Sequence, residues 1–308
     1  MKNEVHIPVM LDEALSALDV RPGGRYVDGT LGRAGHTREI IRRGGSVLGI
    51  DRDDQALAEV GALRLDGLVA VKGRHGDVKK IAVENGWNEV DGILLDLGVS
   101  SPQLDEAERG FSFMREGPLD MRMDCSCGRS AADVVNGESQ ERLASIFREL
   151  GEERQASRIA KAIVRERESG PIETTLALAG LVERVVGRKG PHHPATRVFQ
   201  ALRMEVNDEI GELERALRGG MELLAPGGRF VVITFESLTD RIVKRFFAGH
   251  VGRMVSLQQG GERWEGELPR AVALHRHAVT AGDEEISVNP RARSAKLRVV
   301  EKAKEDAR

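Results

Sequence analysis

The stretch Tyr26–Asp51, YVDGTLGRAGHTREIIRRGGSVLGID, decides the fold. It runs from a short apolar segment through a glycine-rich turn and a helix-forming segment to a second apolar run that ends on an acid. Strand, turn, helix and strand in that order open a nucleotide-binding βαβ unit. A dinucleotide fold would put G-x-G-x-x-G in this turn, so that backbone N–H groups and a helix N-terminus meet a pyrophosphate. Here the glycines are Gly29, Gly32 and Gly35, with Thr30 and Leu31 where the second glycine would fall. Asp28 begins the turn, and a carboxylate there suits an ammonium or sulfonium neighbour better than a phosphate. Asp51 closes the second strand, where a carboxylate can accept both hydroxyls of a ribose. These features point to an adenosine ligand without phosphates, of which S-adenosylmethionine is the obvious member; a plain tight turn is the alternative.

Outward from this unit the same alternation continues. Strands are expected at 25–29, 46–50, 68–72 and 91–96, with helices at about 34–43, 53–62 and 76–86. Strands separated by helix-sized segments imply right-handed crossovers and a parallel sheet. The run DGILLD, Asp91–Asp96, is apolar on consecutive positions, as a central strand covered on both faces should be. From Asp105 to Met204 the pattern is loop and helix without a convincing strand. Alternation then resumes. Val206, Ile210, Leu213, Leu217, Met221 and Leu224 make one apolar stripe and predict a long helix, followed by Pro226-Gly227-Gly228 and the buried strand RFVVITF. KLRVV, Lys296–Val300, is a candidate last strand. The expected organisation is one discontinuous α/β domain, 1–104 and 205–308, carrying an inserted helical substrate-recognition domain at 105–204.

Bulk properties narrow the class. A formal charge of −3 over 308 residues gives no global basic field, so a nucleic-acid partner must be met by a local patch. The N-terminus lacks the pattern of a secretory signal, and no apolar run of ~18 residues offers a membrane span. A soluble, cytoplasmic protein without membrane partners is expected. Cys125 and Cys127, in DCSCGRS, supply only half of a tetrahedral zinc shell, and no metal is assigned.

Six ordered segments carry a further signal: HIPVMLDEAL, VDGTLGRAGHT, GIDRD, DGILLDLGVSSPQLDEAERGFSFMREGPLDMRMD, HPATRVFQALRMEVN and NPRARSAKLRV. Together, from His6 to Val299, they closely resemble the ribosomal RNA small-subunit methyltransferase H (MraW) family. The resemblance implies an α/β, Rossmann-like class I methyltransferase fold with a mostly parallel sheet and an inserted helical domain. It implies methyl transfer from S-adenosylmethionine to the exocyclic N4 of one cytidine in the 16S rRNA decoding centre, with the small ribosomal subunit as partner; a homodimer stays open. By similarity Ala34, Gly35 and His36 line the cofactor site, Asp51 takes the ribose, and Asp96 and Gln103 make further cofactor contacts. His75 falls where relatives often carry phenylalanine, and can lie flat against adenine with less apolar area. In ITFESLTDRIVKRF, relatives usually read F-H-S-L-E-D-R, so Glu236 and Thr239 depart from the pattern while Ser237, Asp240 and Arg241 keep it.

The chemistry asks for positioning more than for a strong base, because the cytosine amine is a poor nucleophile until its hydrogens are held. Asp96, at the carboxyl end of the fourth strand, is the candidate acceptor; a cofactor contact or loop cap without a proton role is the alternative. Phe111 and Phe113 could stack on an extruded base or simply anchor the core. Residues 154–203 hold ten Lys/Arg, four Glu and no Asp. Arg154, Arg158, Lys161 and Arg165 form a helical stripe, joined by Arg188, Lys189, His192, His193 and Arg197 in a Gly/Pro-rich loop. This is the candidate RNA surface, with a solvated, Glu-paired helix face as the bland account. Arg291, Arg293, Lys296 and Arg298 form a second basic run that fits RNA contact or packing alike. Two rivals remain at this level: a nicotinamide-dependent oxidoreductase, opposed by the missing G-x-G and by Asp28, and a non-catalytic ribosome-assembly factor that keeps the fold.

Overall fold

The computed structural model describes residues 7–188, 190 and 193–304, apart from the side chains of Ser101 and Pro102. The chain divides into two compact units, 1–98 with 211–308, and 99–210.

The first unit begins with α1 (Leu11–Leu18), β1 (Arg25–Asp28), α2 (Gly35–Arg42), β2 (Ser46–Asp51), α3 (Asp54–Ala62), β3 (Leu68–Lys72), α4 (Val78–Glu84) and β4 (Val90–Asp96). The second holds α5 (Ser101–Asp105), α6 (Ala131–Gly137), α7 (Gln140–Glu149), α8 (Ala156–Arg167), α9 (Thr175–Val186) and α10 (Thr196–Val206). The chain then returns through α11 (Glu209–Leu223), β5 (Leu224–Thr234), α12 (Ser237–Val251), a small hairpin of β6 (Arg253–Ser256) and β7 (Glu262–Glu265), β8 (Ala271–Ala273), β9 (Val279–Thr280), α13 (Asp283–Val288) and β10 (Lys296–Lys302).

The main sheet has the order β3-β2-β1-β4-β5-β10-β8, with β9 also pairing β10. Strands β1 to β5 pair in parallel, and β10 runs antiparallel to β5 and β8. Helices cover both faces, and strand alternation decides which face each side chain joins. Val27, Leu48, Ile50, Ile93, Leu95 and Val232 point to the face packed by Val78 and Ile81 of α4, Leu213 and Leu217 of α11 and Val243 of α12. Tyr26, Val47, Leu94, Val231 and Ile233 point to the other, packed by Leu15 of α1 and Ile40 of α2. Double coverage explains the unbroken apolar run in β4, where each fully buried aliphatic side chain stabilises the fold by about 1.5–3 kcal/mol. This is a Rossmann-like doubly wound sheet with a mostly parallel order. Strand order reverses at β1, which has β2 on one side and β4 on the other, and such switch points open a crevice at the carboxyl ends of the strands.

In the helical unit, Leu143, Phe147, Ile159, Ile163, Leu178, Val182, Val198 and Leu202 form one core. Its helices start where capping residues allow: Ser130 and Asp133 make a capping box for α6, and Ser139 and Thr174 cap α7 and α9.

The helix expected from Val206 onward is broken. Val206 ends α10, Asn207 caps it, and Asp208 takes a left-handed φ of 49° before α11 begins. Asn207 is the reason: its Oδ1 accepts from Met123 N–H at 2.9 Å and its Nδ2 donates to the Met121 carbonyl at 2.8 Å. Val206 therefore packs with the helical core rather than continuing the stripe of α11. The units divide at 98/99 and 210/211, against the expected 104/105 and 204/205, because Val99, Leu104 and Val206 pack on the helical core. The hairpin β6–β7 and strands β8 and β9 have no counterpart in the sequence-based expectation.

Candidate active site

The turn after β1 is bolted to the neighbouring strand ends. Gly29 N–H donates to the Leu94 carbonyl at 2.9 Å and Leu31 N–H to the Ile50 carbonyl at 3.0 Å. A Cβ on Gly29 would lie 2.5 Å from Leu95 Cδ2, so glycine is what lets the loop approach β4. Gly32 takes a φ of 48° and Ala34 one of 58°, and Ala34 stands at the N-cap of α2. Gly35 lies against the Pro8 ring so closely that a side chain would overlap it. His36 is buried, with Nε2 3.0 Å from the Val9 carbonyl oxygen. The Pro8-Val9 segment is thus clamped on the glycine turn.

Three carboxylates stand at the ends of β1, β2 and β4, and each is held differently. Asp28 is 2% exposed; it accepts from Thr37 Oγ1 at 2.7 Å and from Thr30 N–H at 3.1 Å. Its role is to fix the turn from below rather than to present a bare charge to a cationic ligand, a correction to the sequence-based reading. Asp51 accepts from Gly32 N–H at 2.8 Å through one oxygen and from Asp53 N–H at 2.9 Å through the other. Each oxygen keeps a lone pair, so a diol could still be bound. Burial raises the pKa of both Asp28 and Asp51. Asp96 makes no side-chain hydrogen bond among the described residues; its backbone N–H donates to Thr30 Oγ1 at 2.7 Å. Burial, with a smaller push from the charge of Asp28, raises its carboxyl to about 8. A carboxyl at that value can exchange a proton near neutral pH.

His75 sits in the turn after β3, and its Nε2 is a buried atom without a hydrogen-bond partner. Burial first, then the positive charge of Arg52, lowers its pKa to about 4, so the ring is neutral at physiological pH. Glu212 of α11, 2% exposed, holds this turn from both sides of the histidine. It accepts from Gly76 N–H at 3.0 Å, Arg74 Nη1 at 3.3 Å and Arg215 Nη2 at 2.9 Å. A Cβ on Gly29 would lie 3.4 Å from the His75 Cβ, so the two turns are neighbours. Neither Thr30, Thr37 nor Glu212 stood out in the sequence. Thr37 and Thr30 could have been suspected from their place beside the glycines, but Glu212 lies off the apolar stripe of its helix and gave no signal.

At the end of β5, Phe235 lies beside Gly98, whose φ is 126°. Thr239 is buried and donates Oγ1 to the Glu236 carbonyl at 3.0 Å, which makes a short hydroxyl self-sufficient at that position. Asp240 accepts from Arg298 Nε at 2.7 Å and Lys296 Nζ at 3.4 Å, ion-pairing α12 to β10. Arg298 of the second basic run is therefore a packing residue, while Arg291 and Arg293 are exposed.

In the helical unit, Gln103 is buried, its Oε1 accepting from Ser100 N–H at 3.0 Å. Phe111 belongs to the core, and the Phe113 ring lies 4.8 Å from Phe199 and 4.7 Å from His193. Both phenylalanines serve packing. Of the basic stripe, Arg154, Arg158, Lys161 and Arg165 are all exposed, opposite buried Ile159, Ala160 and Ile163. Arg154, Lys161 and Arg165 form no ion pair among the described residues, whereas Arg158 donates to the Val185 carbonyl at 3.1 Å. Arg188 lies 4.0 Å from Glu183, and Arg197 donates to the Glu152 carbonyl at 3.2 Å. Lys189 and His192 lie outside the described residues.

A doubly wound parallel sheet with an antiparallel strand beside β5, a glycine turn after β1 and an acid closing β2 defines a Rossmann-like nucleotide-binding fold. The MraW methylase family model matches residues 3–303, and the chain belongs to that family. Ribosomal RNA small subunit methyltransferase H of Methylococcus capsulatus is 50% identical over 302 residues, covering 95% of this chain and 99% of that protein. The proteins of the same name from Geobacter sulfurreducens and Carboxydothermus hydrogenoformans are 49% and 46% identical, each over 96% of this chain and 98% and 97% of their own.

Proposed function

We propose that this chain transfers a methyl group from S-adenosylmethionine to the exocyclic N4 of one cytidine in the decoding centre of 16S rRNA, within the small ribosomal subunit. Family membership and the names of relatives at close to half identity over the full length support this reading. The observation that carries it is the β1/β4 switch point, with Asp51 at the end of β2, His75 in the turn after β3 and the Asp96 carboxyl, without a side-chain hydrogen bond among the described residues, at the end of β4.

These residues fit the cofactor. Asp51 keeps acceptor capacity for two ribose hydroxyls after its two backbone bonds, and the half-buried, neutral His75 offers a flat face and a buried, unsatisfied ring nitrogen to a purine. S-adenosylmethionine, when bound, supplies the activated methyl group. The protein's share is to hold the amine, receive its proton and keep water away. Asp96, once ionised, accepts an N4 hydrogen and draws the nitrogen toward tetrahedral geometry, so that the lone pair is available when the N–C bond forms. Ala34, Gly35 and His36 complete the proposed cofactor site of the α/β unit as shape and packing rather than charge. Arg154, Arg158, Lys161, Arg165, Arg188, Lys189 and Arg197 are the proposed phosphate contacts, with Arg154, Lys161 and Arg165 the most available.

Small subunits lacking the modification, incubated with protein and labelled cofactor and then digested to nucleosides, should yield N4-methylcytidine by mass spectrometry. Cofactor binding without any methylated cytidine would leave an assembly factor in its place.

A further inference from the structure

In the α/β unit, the segment that leads into α1 is held by the glycine turn on one side and by the far end of the chain on the other. On the turn side, the Pro8 ring lies against Gly35, and the Val9 carbonyl oxygen is 3.0 Å from His36 Nε2. A carbonyl only accepts, so Nε2 carries the hydrogen of that bond. On the other side, Met10 N–H donates to Glu285 Oε1 at 2.7 Å, and Asn289 Nδ2 donates to the Ile7 carbonyl at 3.3 Å. Glu285 lies in α13 and Asn289 is its C-cap. Helix α13 is a short excursion between β9 and β10, which pair with each other in the main sheet. Ile286 packs in the same apolar cluster as Val9, Met10 and Leu15.

The bond from Met10 does more than cap a helix. Met10 is fully buried, takes a left-handed φ of 51° and stands at the N-cap of α1. A capping-box acid three residues further on would serve its N–H locally. Glu13 occupies that position, yet the bond goes to a carboxylate 275 residues away. A local acid would close the helix end alone, whereas one rooted between β9 and β10 also ties the segment to the sheet. The bond is charge-assisted, a class roughly twice as strong as neutral ones. From Pro8 and Val9 the contacts run on into the site. Gly35 and His36 open α2 directly after Ala34, and in the same turn Gly32 N–H donates to Asp51 Oδ2 at 2.8 Å.

We propose that Glu285 is a positioning residue for the cofactor. By holding Met10 it keeps Pro8 and Val9 seated on the glycine turn, and so keeps the turn and Asp51 in the geometry that takes the ribose of S-adenosylmethionine. The inference rests on the cofactor reading of that turn and adds the distant residue that sets it.

Calorimetry on the full chain with S-adenosylmethionine is the test. Glu285→Ala should weaken binding roughly tenfold, within what a small misplacement of positioned groups costs. Glu285→Gln keeps an oxygen for Met10 N–H and should stay within about threefold of the parent protein. Asn289→Ala, which loses a longer, neutral bond, should weaken binding about threefold and serves in place of Glu285→Ala where that variant does not fold. In Glu285→Ala the amides of residues 32–36 should exchange hydrogen faster while those of β1 and β4 keep their protection. A matched control is Asp91→Ala, which removes a bond of the same kind, from Arg25 N–H at 2.8 Å, at the starts of β4 and β1. It should lower the melting midpoint and leave cofactor affinity alone. Parent-like affinity in Glu285→Ala sinks the positioning role, as does an equal loss in Asp91→Ala or a glutamine no better than alanine. Unchanged affinity in Asp51→Ala instead removes the cofactor reading of the turn, and that variant tells the two failures apart.

Discussion

In the α/β unit, Asp28, buried, and Asp51 and Asp96, half-buried, stand at the ends of parallel strands and form no ion pair among the described residues. In the helical unit, Arg154, Lys161 and Arg165 stand exposed to solvent and form no ion pair among the described residues. The first arrangement is costly: buried carboxyls oppose their own ionisation, and backbone N–H groups and threonine hydroxyls offset part of that cost. The second costs almost nothing, because an exposed guanidinium or ammonium keeps its hydration until a phosphate replaces it. The difference matches what each unit is proposed to do. A single amine and a single sugar need groups fixed in place before they arrive. A long polyanion needs many mobile charges whose contributions add.

The sharpest test of that contrast is Asp96→Asn. Loss of the acceptor should cut kcat by about 10²–10⁴, the range expected for a positioned proton acceptor, with cofactor affinity little changed. In the parent protein, kcat/KM should rise with pH toward about 8 as Asp96 ionises, and the asparagine variant should lack that limb. Stability should move the opposite way. The folded carboxyl titrates near 8 and the unfolded one near 3.8, so between those values the unfolded state releases a proton that the folded state keeps. Stability therefore falls as pH rises through the window, and Asp96→Asn should melt higher than the parent at pH 8 with the gap closing near pH 4. An active variant with the parent's pH profile would reduce Asp96 to a loop residue. Next in size is Asp51→Ala, which should weaken binding of S-adenosylmethionine and of its demethylated product alike by about 10- to 100-fold, through lost hydrogen bonds to a charged acceptor. Titration calorimetry reads both; an effect on only one of the two ligands would place Asp51 away from the ribose.

On the other side of the comparison, Arg154→Glu, Lys161→Glu and Arg165→Glu combined should raise KM for the small subunit about tenfold at moderate salt, with a shallower salt dependence and unchanged cofactor affinity. A fall in cofactor affinity as large as the fall in RNA affinity would mean a damaged fold rather than a lost contact.

The sheet was legible because its signals are local and redundant: apolar runs of strand length, glycines at a fixed offset, and acids at the strand ends. The β6–β7 hairpin and β8 were not, since Arg253–Ser256 and Glu262–Glu265 are exposed, charged strands without an alternating apolar face. The break at Asn207 was hidden for another reason: the stripe of α11 extrapolates smoothly through Val206, and only the tertiary bonds from Asn207 to residues 121 and 123 stop it. At the site, Asp51 and Asp96 could be read from strand ends, whereas Asp28 could not be told from a ligand-facing acid. Which side of the turn Thr37 occupies decides that, and it is a property of the folded helix. Glu212 was beyond reach because it meets the 74–76 turn across 136 residues of chain from Gly76.

The smallest effect is the one that examines a group between these extremes, His75, half-buried like Asp51 and Asp96 but basic like the stripe. The folded His75 titrates near 4 and its unfolded counterpart near 6.5, so between those values the unfolded state binds a proton that the folded state refuses. Stability thus rises with pH through this window, and the parent protein should lose about 1–2 kcal/mol between pH 7.5 and pH 5 on this account. Phenylalanine cannot take up a proton. His75→Phe should therefore lose less stability on acidification, while its affinity for S-adenosylmethionine changes only a few-fold, because the added apolar area offsets the missing ring nitrogen. Melting midpoints of both proteins at the two pH values, with and without cofactor, measure the two quantities separately. An acid sensitivity identical in parent and variant would show that the imidazole is wet and titrates normally, and the order of the turn beside Gly29 would then rest on the Glu212-held backbone alone.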